Sequence, residues 1–432
     1  MQYLDQFQTF TGIAVTVLGF FYAYQLVYMI ISLFKKKGKK QKPAKTNHRF
    51  AVMVSARNEE GVIFELLDSL KKQDYPKDRY DVYVVADNCT DHTAEVAREH
   101  GAIVFERFDQ KDVGKGYALN YLYQKIREYK GKGYYEAYVV FDADNLVDPE
   151  FLCEANKKFD TGKYEAFTTF RNTKNFATNW LSAAYSIWFM HEARHLNYVR
   201  DLIGANCMIS GTGYVVSETV MDRNNGWPFY FLTEDIQFSV DSTLNDTKIG
   251  YCDTAILYDE QPSSMKQSWN QRLRWAKGFY QVDGRYLPSL MKGVVTKKGF
   301  GKKLSCYDVL MTVLPASLVT VVMIVLAVWI LAAAGLMPYY VKLVFRSEML
   351  SFIGSLLVDF WAGMMVLGAY TVIQEWDRIP ATNWQKIEYI PLFPLYMLTY
   401  LPITIQAMFV KVKWKPIRHY STSELAAEAE KK

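Results

Sequence analysis

The hydrophobic pattern divides the chain into two regimes. Ile13 to Phe34 is an almost unbroken apolar run, and Tyr307–Leu336, Met349–Ile373 and Ile390–Val410 repeat that character after Gly301. Each is long enough for a bilayer-spanning helix, which needs about 20 apolar residues. From Arg49 to about Ser289 the pattern is that of an α/β domain. Phe50–Ser55, Tyr80–Ala86, Ala102–Glu106 and Ala137–Phe141 are short apolar runs that predict buried strands. Helical periodicity opens at Asn58-Glu59-Glu60 and ends near Gln73, then recurs over Thr90–His100 and Gly116–Tyr129. Strands alternating with such helices predict βαβ units and a mostly parallel sheet. No GxGxxG follows the first strand, which argues against dinucleotide binding.

Composition adds little beyond class. Half of the 432 residues are apolar, too many for a disordered chain. Five scattered cysteines without a CxxC make a disulfide framework or zinc ribbon an unlikely design, and reduced thiols are expected. Charge is more informative. Asp5 precedes the first apolar run, and Lys35-Lys36-Lys37-Gly38-Lys39-Lys40-Gln41-Lys42 follows it. That order is the reverse of a signal peptide, and the positive-inside rule puts the N-terminus outside with the following domain in the cytosol. The lysine run reads as an orientation anchor, and no nucleic-acid partner is expected. Three later spans would leave the C-terminus outside, whereas Lys411, Lys413, Lys415, Arg418 and His419 favour the inside. Pro391, Pro394 and Pro402 make the last span suspect.

Four motifs carry chemistry. Asp87-Asn88-Cys89-Thr90-Asp91 stands just past the second strand, where an open α/β sheet collects ligands; its acids suit a nucleobase or ribose equally with a helix cap. Asp142-Ala143-Asp144 ends the fourth strand and offers hard oxygen ligands for a divalent cation, or a solvated turn. Thr233-Glu234-Asp235 opens a helical pattern at Ile236, Val240 and Leu244, where the dipole favours an ionised base or a simple cap. Gln271-Arg272-Leu273-Arg274-Trp275 places Gln271, Arg274 and Trp275 on one helix face. It suits a diphosphate and a sugar ring, or a membrane-surface helix over Gln267–Gly293 with snorkelling arginines.

In this order the motifs resemble the signature of processive family 2 glycosyltransferases, the membrane synthases of cellulose, chitin and hyaluronan, over about Phe50 to Gln281. The resemblance implies an α/β GT-A-like cytosolic domain with a mostly parallel sheet, embedded in an α-helical integral membrane protein of the plasma membrane. It implies Asp87 on the uracil or ribose of a UDP-sugar donor, with Glu59 and Lys115 near the nucleotide. Asp144 would be the ligand of Mg²⁺ or Mn²⁺ and Asp142 a contact on the nucleotide side. Asp235 would be the catalytic base, Gln271 and Arg274 diphosphate contacts, and Trp275 the acceptor platform. Ser210-Gly211-Thr212-Gly213 would form the loop below the acceptor, and Tyr258–Ser264 stands in the place of a gating loop whose aromatic-rich sequence it lacks.

The implied division is residues 1–46, an N-terminal span and basic linker; 47–266, the glycosyltransferase domain; 267–303, an interface helix; 304–411, about three spans; and 412–432, a charged tail. No regulatory domain is expected after Trp414. The implied activity is inverting polymerisation of a UDP-sugar, glucose favoured, into a β-linked polysaccharide that leaves through the protein's own channel across the lipid bilayer. Phe170, Trp188, Trp329 and Trp361 are candidate aromatics for that path. Single transfer to a lipid acceptor and a catalytically silent nucleotide-sensing scaffold are the alternatives.

Overall fold

The computed structural model describes residues 2–34, 41–315, 322, 325, 339–412 and 419–425. Lys35 to Lys40, most of the run from 316 to 336 with Trp329, and Lys413 to Arg418 with Trp414 lie outside the described residues.

Eight strands form one mixed sheet in the order β3-β2-β1-β4-β7-β6-β8-β5. The four predicted strands are its parallel half: β1 (Phe50–Ala56), β2 (Tyr80–Asp87), β3 (Ile103–Arg107) and β4 (Ala137–Asp142). β1 is buried on both faces, as its unbroken apolar run requires. The second half is mixed. β5 (Leu146–Val147) and β7 (Tyr214–Ser217) run antiparallel to β8 (Ile249–Asp259) and β4, while β6 (Ala166–Thr173) runs parallel to β8.

Helices α2 (Ile63–Lys71), α3 (Thr93–Glu99), α4 (Lys115–Lys130) and α5 (Phe151–Phe159) cover the sheet. α2 buries Ile63, Leu66, Leu67 and Leu70, a helical period on one face. It starts later than its sequence pattern because Asn58 adopts φ 59°, a left-handed conformation that interrupts a helix. The Asn58 side chain instead accepts from the Thr90 amide at 2.8 Å, tying the loops after β1 and β2 together. α3 likewise starts at Thr93, whose amide donates to Asp91 Oδ1 at 3.1 Å.

The remaining helices build the other wall. α1 (Gln2–Phe34) precedes the domain; α6 (Trp180–His191), a π-helical turn (Glu192–Asn197) and α7 (Tyr198–Ile203) form one bent rod after β6; α8 (Glu218–Arg223) follows β7. α9 (Glu234–Leu244) carries the predicted Ile236 and Val240 face inward. α10 (Met265–Thr296) leads to α11 (residues 300–315). α12 (Tyr339–Gln374), α13 (Asn383–Glu388), α14 (Phe393–Leu398) and α15 (Tyr400–Phe409) complete the chain's helical part.

Tyr339–Gln374 and Asn383–Phe409 are long and apolar enough to cross a membrane. The second is divided into α13, a 3₁₀ turn with Pro391, α14 and α15, where the prolines remove backbone donors. The span expected from Tyr307 begins with a buried charge: Asp308 accepts from Arg200 Nε at 2.8 Å and Nη2 at 2.6 Å, and from Tyr28 Oη at 2.9 Å. That group locks α1, α7 and α11 together.

Two expectations for side chains change. Arg272 does not snorkel: it is fully buried, stacks on Tyr396 and Tyr400, and donates to the Tyr396 carbonyl at 3.0 Å. Much of the face of α10 read as membrane-facing is thus covered by α14 and α15, and Tyr280 Oη adds a bond to the Thr404 carbonyl at 2.9 Å. Tyr258–Ser264 is tied down. Asp259 holds Asn145 and Arg171, and Gln261 exchanges hydrogen bonds with Asn175 in both directions. All five cysteines are free, as expected.

Gly213 meets a stringent local requirement of this fold. At φ 63° a Cβ would meet Leu257 Cδ2 at 1.7 Å and Thr169 Oγ1 at 2.8 Å. Gly213→Ala should therefore lose about 1–3 kcal/mol from backbone strain alone, with packing added. Thermal unfolding checks this; an unchanged midpoint would contradict it.

Candidate functional site

The register of the parallel strands creates the site. Ser55 on β1 pairs with Val85 on β2 and Asp142 on β4, so Asp87 and Asp142 end at one carboxyl edge on either side of β1. Ligands gather at that edge because loops and helix N-termini converge there. A cavity of about 570 Å³ opens over it.

Glu59, Asp87, Lys115, Asp142, Asp144, Ser210, Gly211, Asp235, Gln271, Arg274 and Trp275 all line this cavity. Thr212 and Gly213 stand behind its wall. Thr212 Oγ1 accepts from the Asp142 amide at 3.0 Å and donates to Asn145 Oδ1 at 2.5 Å, so it positions the Asp142–Asp144 turn. Gln271, Arg274 and Trp275 share the predicted face of α10, while Arg272 points the other way. Trp275 is half-buried, with its ring 5.9 Å from Tyr185 and 6.1 Å from Phe189, both edge-on. Of the four candidate path aromatics, Trp188 lines the cavity. Phe170 is buried under the Arg378 guanidinium, and Trp361 lies on α12.

The charges are tightly distributed. Lys115 pairs with Asp142, donates to the Gly211 carbonyl at 2.7 Å, and lies 4.0 Å from Glu234. Asp87 is buried, and its Oδ1 accepts from Arg107 at 2.6 Å, which leaves Oδ2 for a ligand. Asp235 stands at the start of α9 and accepts from the Gly211 amide at 2.7 Å. Burial raises the Asp235 carboxyl above the usual range, against the Ile236 amide, Lys115 and the Gly211 amide. Burial raises Asp144 too, and Asp259 adds to that effect.

Arg57, Arg171 and Glu192 line the cavity outside every motif of the sequence analysis, Glu234, Asp259 and Glu260 line it from within motifs that gave them no role of their own, and His419 joins them. His419 was read as a topological charge, yet it returns to the sheet edge. Its Nδ1 bonds Glu59 Oε2 at 2.9 Å, its Nε2 lies 3.8 Å from Asp144 Oδ2, and the Tyr420 amide donates to Glu260 Oε2 at 2.9 Å. Burial opposes its charge, but Asp144, Glu59 and Glu260 outweigh burial and push the imidazole up to about 10. A lone histidine 360 residues from its hydrogen-bond partner leaves no spacing signal in a sequence.

Among the described residues no cluster of three or more His, Cys, Asp or Glu forms a metal cage. The donors still fit a divalent ion shared with a ligand. A carboxylate and an imidazole face each other, and an ion bound there would take the place of the imidazole proton, since acidic neighbours favour positive charge between them.

An aspartate base must be ionised to accept a proton, and raising its pKa moves that requirement to higher pH. With Asp235 in the role of base that the sequence motifs imply, the acid limb of kcat/KM should lie above about 4, the ordinary aspartate value. A pH–rate profile checks this, and a limb at or below that value contradicts it.

Residues 48–278, more than half of the chain, match the family described as "Glycosyltransferase like family 2". A β-monoglucosyldiacylglycerol synthase of Nostoc sp. is 31% identical over 248 residues, covering 55% of this chain and 49% of the relative. The chain spans about half the length of that relative. A poly-β-1,6-N-acetyl-D-glucosamine synthase of Staphylococcus epidermidis is 26% identical over 301 residues, covering 67% of this chain and 69% of the relative. A mannosyltransferase from Pyrobaculum calidifontis, solved with GDP-Man and Mn²⁺, superposes with a TM-score of 0.55 at 19% identity, covering 85% of this chain and 99% of that one. That likeness supports the GT-A-like fold. With the motifs assembled on one sheet edge and the family match extending over the whole of that edge, the chain belongs to glycosyltransferase family 2.

Proposed function

We propose that the chain transfers a hexose, glucose favoured, from a UDP-sugar to an acceptor hydroxyl with inversion. The supporting observation is that Asp87, Asp144, Asp235, Gln271, Arg274 and Trp275, dispersed along the sequence from Asp87 to Trp275, line one cavity. Asp87 and Glu59 would hold the nucleoside, Lys115 and Asp142 the phosphate side, and Gln271 and Arg274 the diphosphate. Arg274 adds a planar donor set that suits phosphate oxygens. Asp144, with His419 beside it, would hold Mg²⁺ or Mn²⁺, which neutralises negative charge on a departing diphosphate.

Asp235 takes the proton of the acceptor hydroxyl. The oxygen forms a bond to the anomeric carbon while the bond from that carbon to the UDP oxygen breaks, and UDP leaves with the electron pair. One displacement turns an α-linked donor into a β-linked product. The Gly211 amide and the N-terminus of α9 hold the Asp235 oxygens in place, so little reorganisation is needed as the proton arrives.

The acceptor reading has two forms. Trp275, on one rigid face with Gln271 and Arg274, favours a growing β-linked polysaccharide: an indole offers stacking of about 0.5–1.5 kcal/mol and no hydrogen bond that must break before the product slides. A channel for that product across the bilayer belongs to the same reading, with the two membrane-length helices flanking the domain. Single transfer to a lipid is favoured by a different observation. Leu196, Phe279, Met311, Val313, Met397 and Leu401 bring an apolar surface to the cavity. The family relative named for β-monoglucosyldiacylglycerol synthesis is in keeping with it.

Asp144→Asn should reduce transfer by several orders of magnitude, and EDTA should do the same to the unaltered protein; full activity in EDTA would remove the ion from the account. Trp275→Ala separates the acceptor forms. It should continue slow UDP release and make little long product if the protein polymerises, as size-exclusion of radiolabelled product would record. Polymer of unaltered length would assign Trp275 to packing alone, and a lipid-linked monosaccharide from the unaltered protein would establish single transfer.

A further inference from the structure

One further acid lines the cavity near Asp235, and the reaction outlined above gives it no role. Glu192 lies at the junction of α6 and the π-helical turn, half-buried, with its side chain lining the cavity. Ser210 Oγ donates to its Oε2 at 3.1 Å, and Ser210 is its one hydrogen-bond partner among the described residues. The cations nearest to it are committed elsewhere. Arg171 binds Asp259 and the Ser210 carbonyl, and Arg200 binds Asp308. Successive residues of one loop therefore fix two acids: Ser210 holds Glu192, and the Gly211 amide holds Asp235.

Trp188 precedes Glu192 by four residues, one helical turn, and lines the same cavity. An aromatic ring beside a carboxylate suits a pyranose, whose C–H face packs on the ring while its hydroxyls donate to the acid. The π-helical turn accords with such a use, because these bulges cost helix geometry and concentrate at functional sites. Burial raises the Glu192 carboxyl and the Ser210 bond opposes this, so a hydroxyl donor from the ligand would complete what Ser210 begins. A carboxylate desolvated in this way gains most from a partner that arrives with the substrate.

We propose that Trp188 and Glu192 form an acceptor subsite for a sugar ring with at least two free hydroxyls: Glu192 binds one while Asp235 deprotonates another. The subsite selects which hydroxyl reacts. This rests on the glycosyl-transfer reading and narrows its acceptor to a glycan end or a glycolipid headgroup, as opposed to a lipid with one hydroxyl.

The test uses the full-length protein in detergent with UDP-glucose or UDP-N-acetylglucosamine and Mn²⁺. The acceptor probes are octyl β-D-glucoside, its monodeoxy analogues and dioctanoylglycerol. One analogue, apart from that lacking the reacting hydroxyl, should lose roughly 10- to 100-fold in kcat/KM, the worth of a hydrogen bond to a charged group. Glu192→Ala should lose a similar factor on octyl glucoside and nothing further on that analogue, with the donor KM little changed and mixed linkages in the product. Glu192→Gln retains an acceptor oxygen and nearly the same volume, and should lose less, with an unaltered melting midpoint. The subsite is overturned if Glu192→Gln and Glu192→Ala discriminate the analogues as the unaltered protein does. It is also overturned if dioctanoylglycerol is the better acceptor, an outcome that upholds glycosyl transfer. Sugar transferred to none of the probes, with no UDP released, overturns the glycosyl-transfer reading itself.

Discussion

The structure depends on the containment of negative charge. Glu59, Asp87, Asp142, Asp144, Glu234, Asp235, Asp259 and Glu260 share one cavity. Like charges in a partly desolvated space repel strongly, so each must be paired, hydrogen-bonded or protonated. Lys115 contributes most on one side, binding Asp142 and the Gly211 carbonyl with Glu234 close by. Arg107 holds Asp87, and Arg171 holds Asp259. The remaining group around Asp144 is completed by His419, brought from the far end of the chain.

The same constraint explains how the domain and the flanking helices cooperate. The sheet edge presents the acids, and α9 and α10 close over them. The bent rod of α6, the π-helical turn and α7 holds Glu192 toward the cavity, while Arg200 from that rod anchors α1 and α11 through Asp308. Arg272 performs the corresponding task on α10, filling an aromatic box on α14 and α15 with a cation that has left water. Thus the wall of the cavity opposite the sheet edge is formed by helices that are themselves fixed by buried charges. Leu196, Met311 and Leu401 reach the cavity from three such elements.

The parallel half of the sheet was legible because a strand buried on both faces shows as an apolar run between helices of matching period. β1 to β4 begin within a residue of their sequence-derived positions. β5 to β8 were not read: β5 has two residues and β7 four, and their antiparallel pairings are long-range choices that local pattern does not encode. Asp87 and Asp142 converged because each ends a parallel strand, and Asp235 because it opens α9, whereas Gln271, Arg274 and Trp275 reach the cavity from one face inside α10. Glu192 and His419 were missed for a physical reason: a solitary polar residue acquires its meaning from distant neighbours. The start of α2 was misplaced because the left-handed turn at Asn58 is set by its bond to the next loop. Among the described residues the apolar runs after Gly301 were legible as helical, whereas their packing against α1, α6 and α10 depends on buried pairs such as Arg200–Asp308.

The central claim is that acceptor and donor meet across this cavity with Asp235 on the side opposite the leaving diphosphate. Product stereochemistry measures it most directly. The purified protein would be given UDP-glucose, in which the sugar is α-linked, and the anomeric proton coupling of the new glycosidic bond read by NMR. The account predicts the large coupling of a β linkage in all product formed. The small coupling of an α linkage would contradict it, because retention requires a different disposition of nucleophile and leaving group.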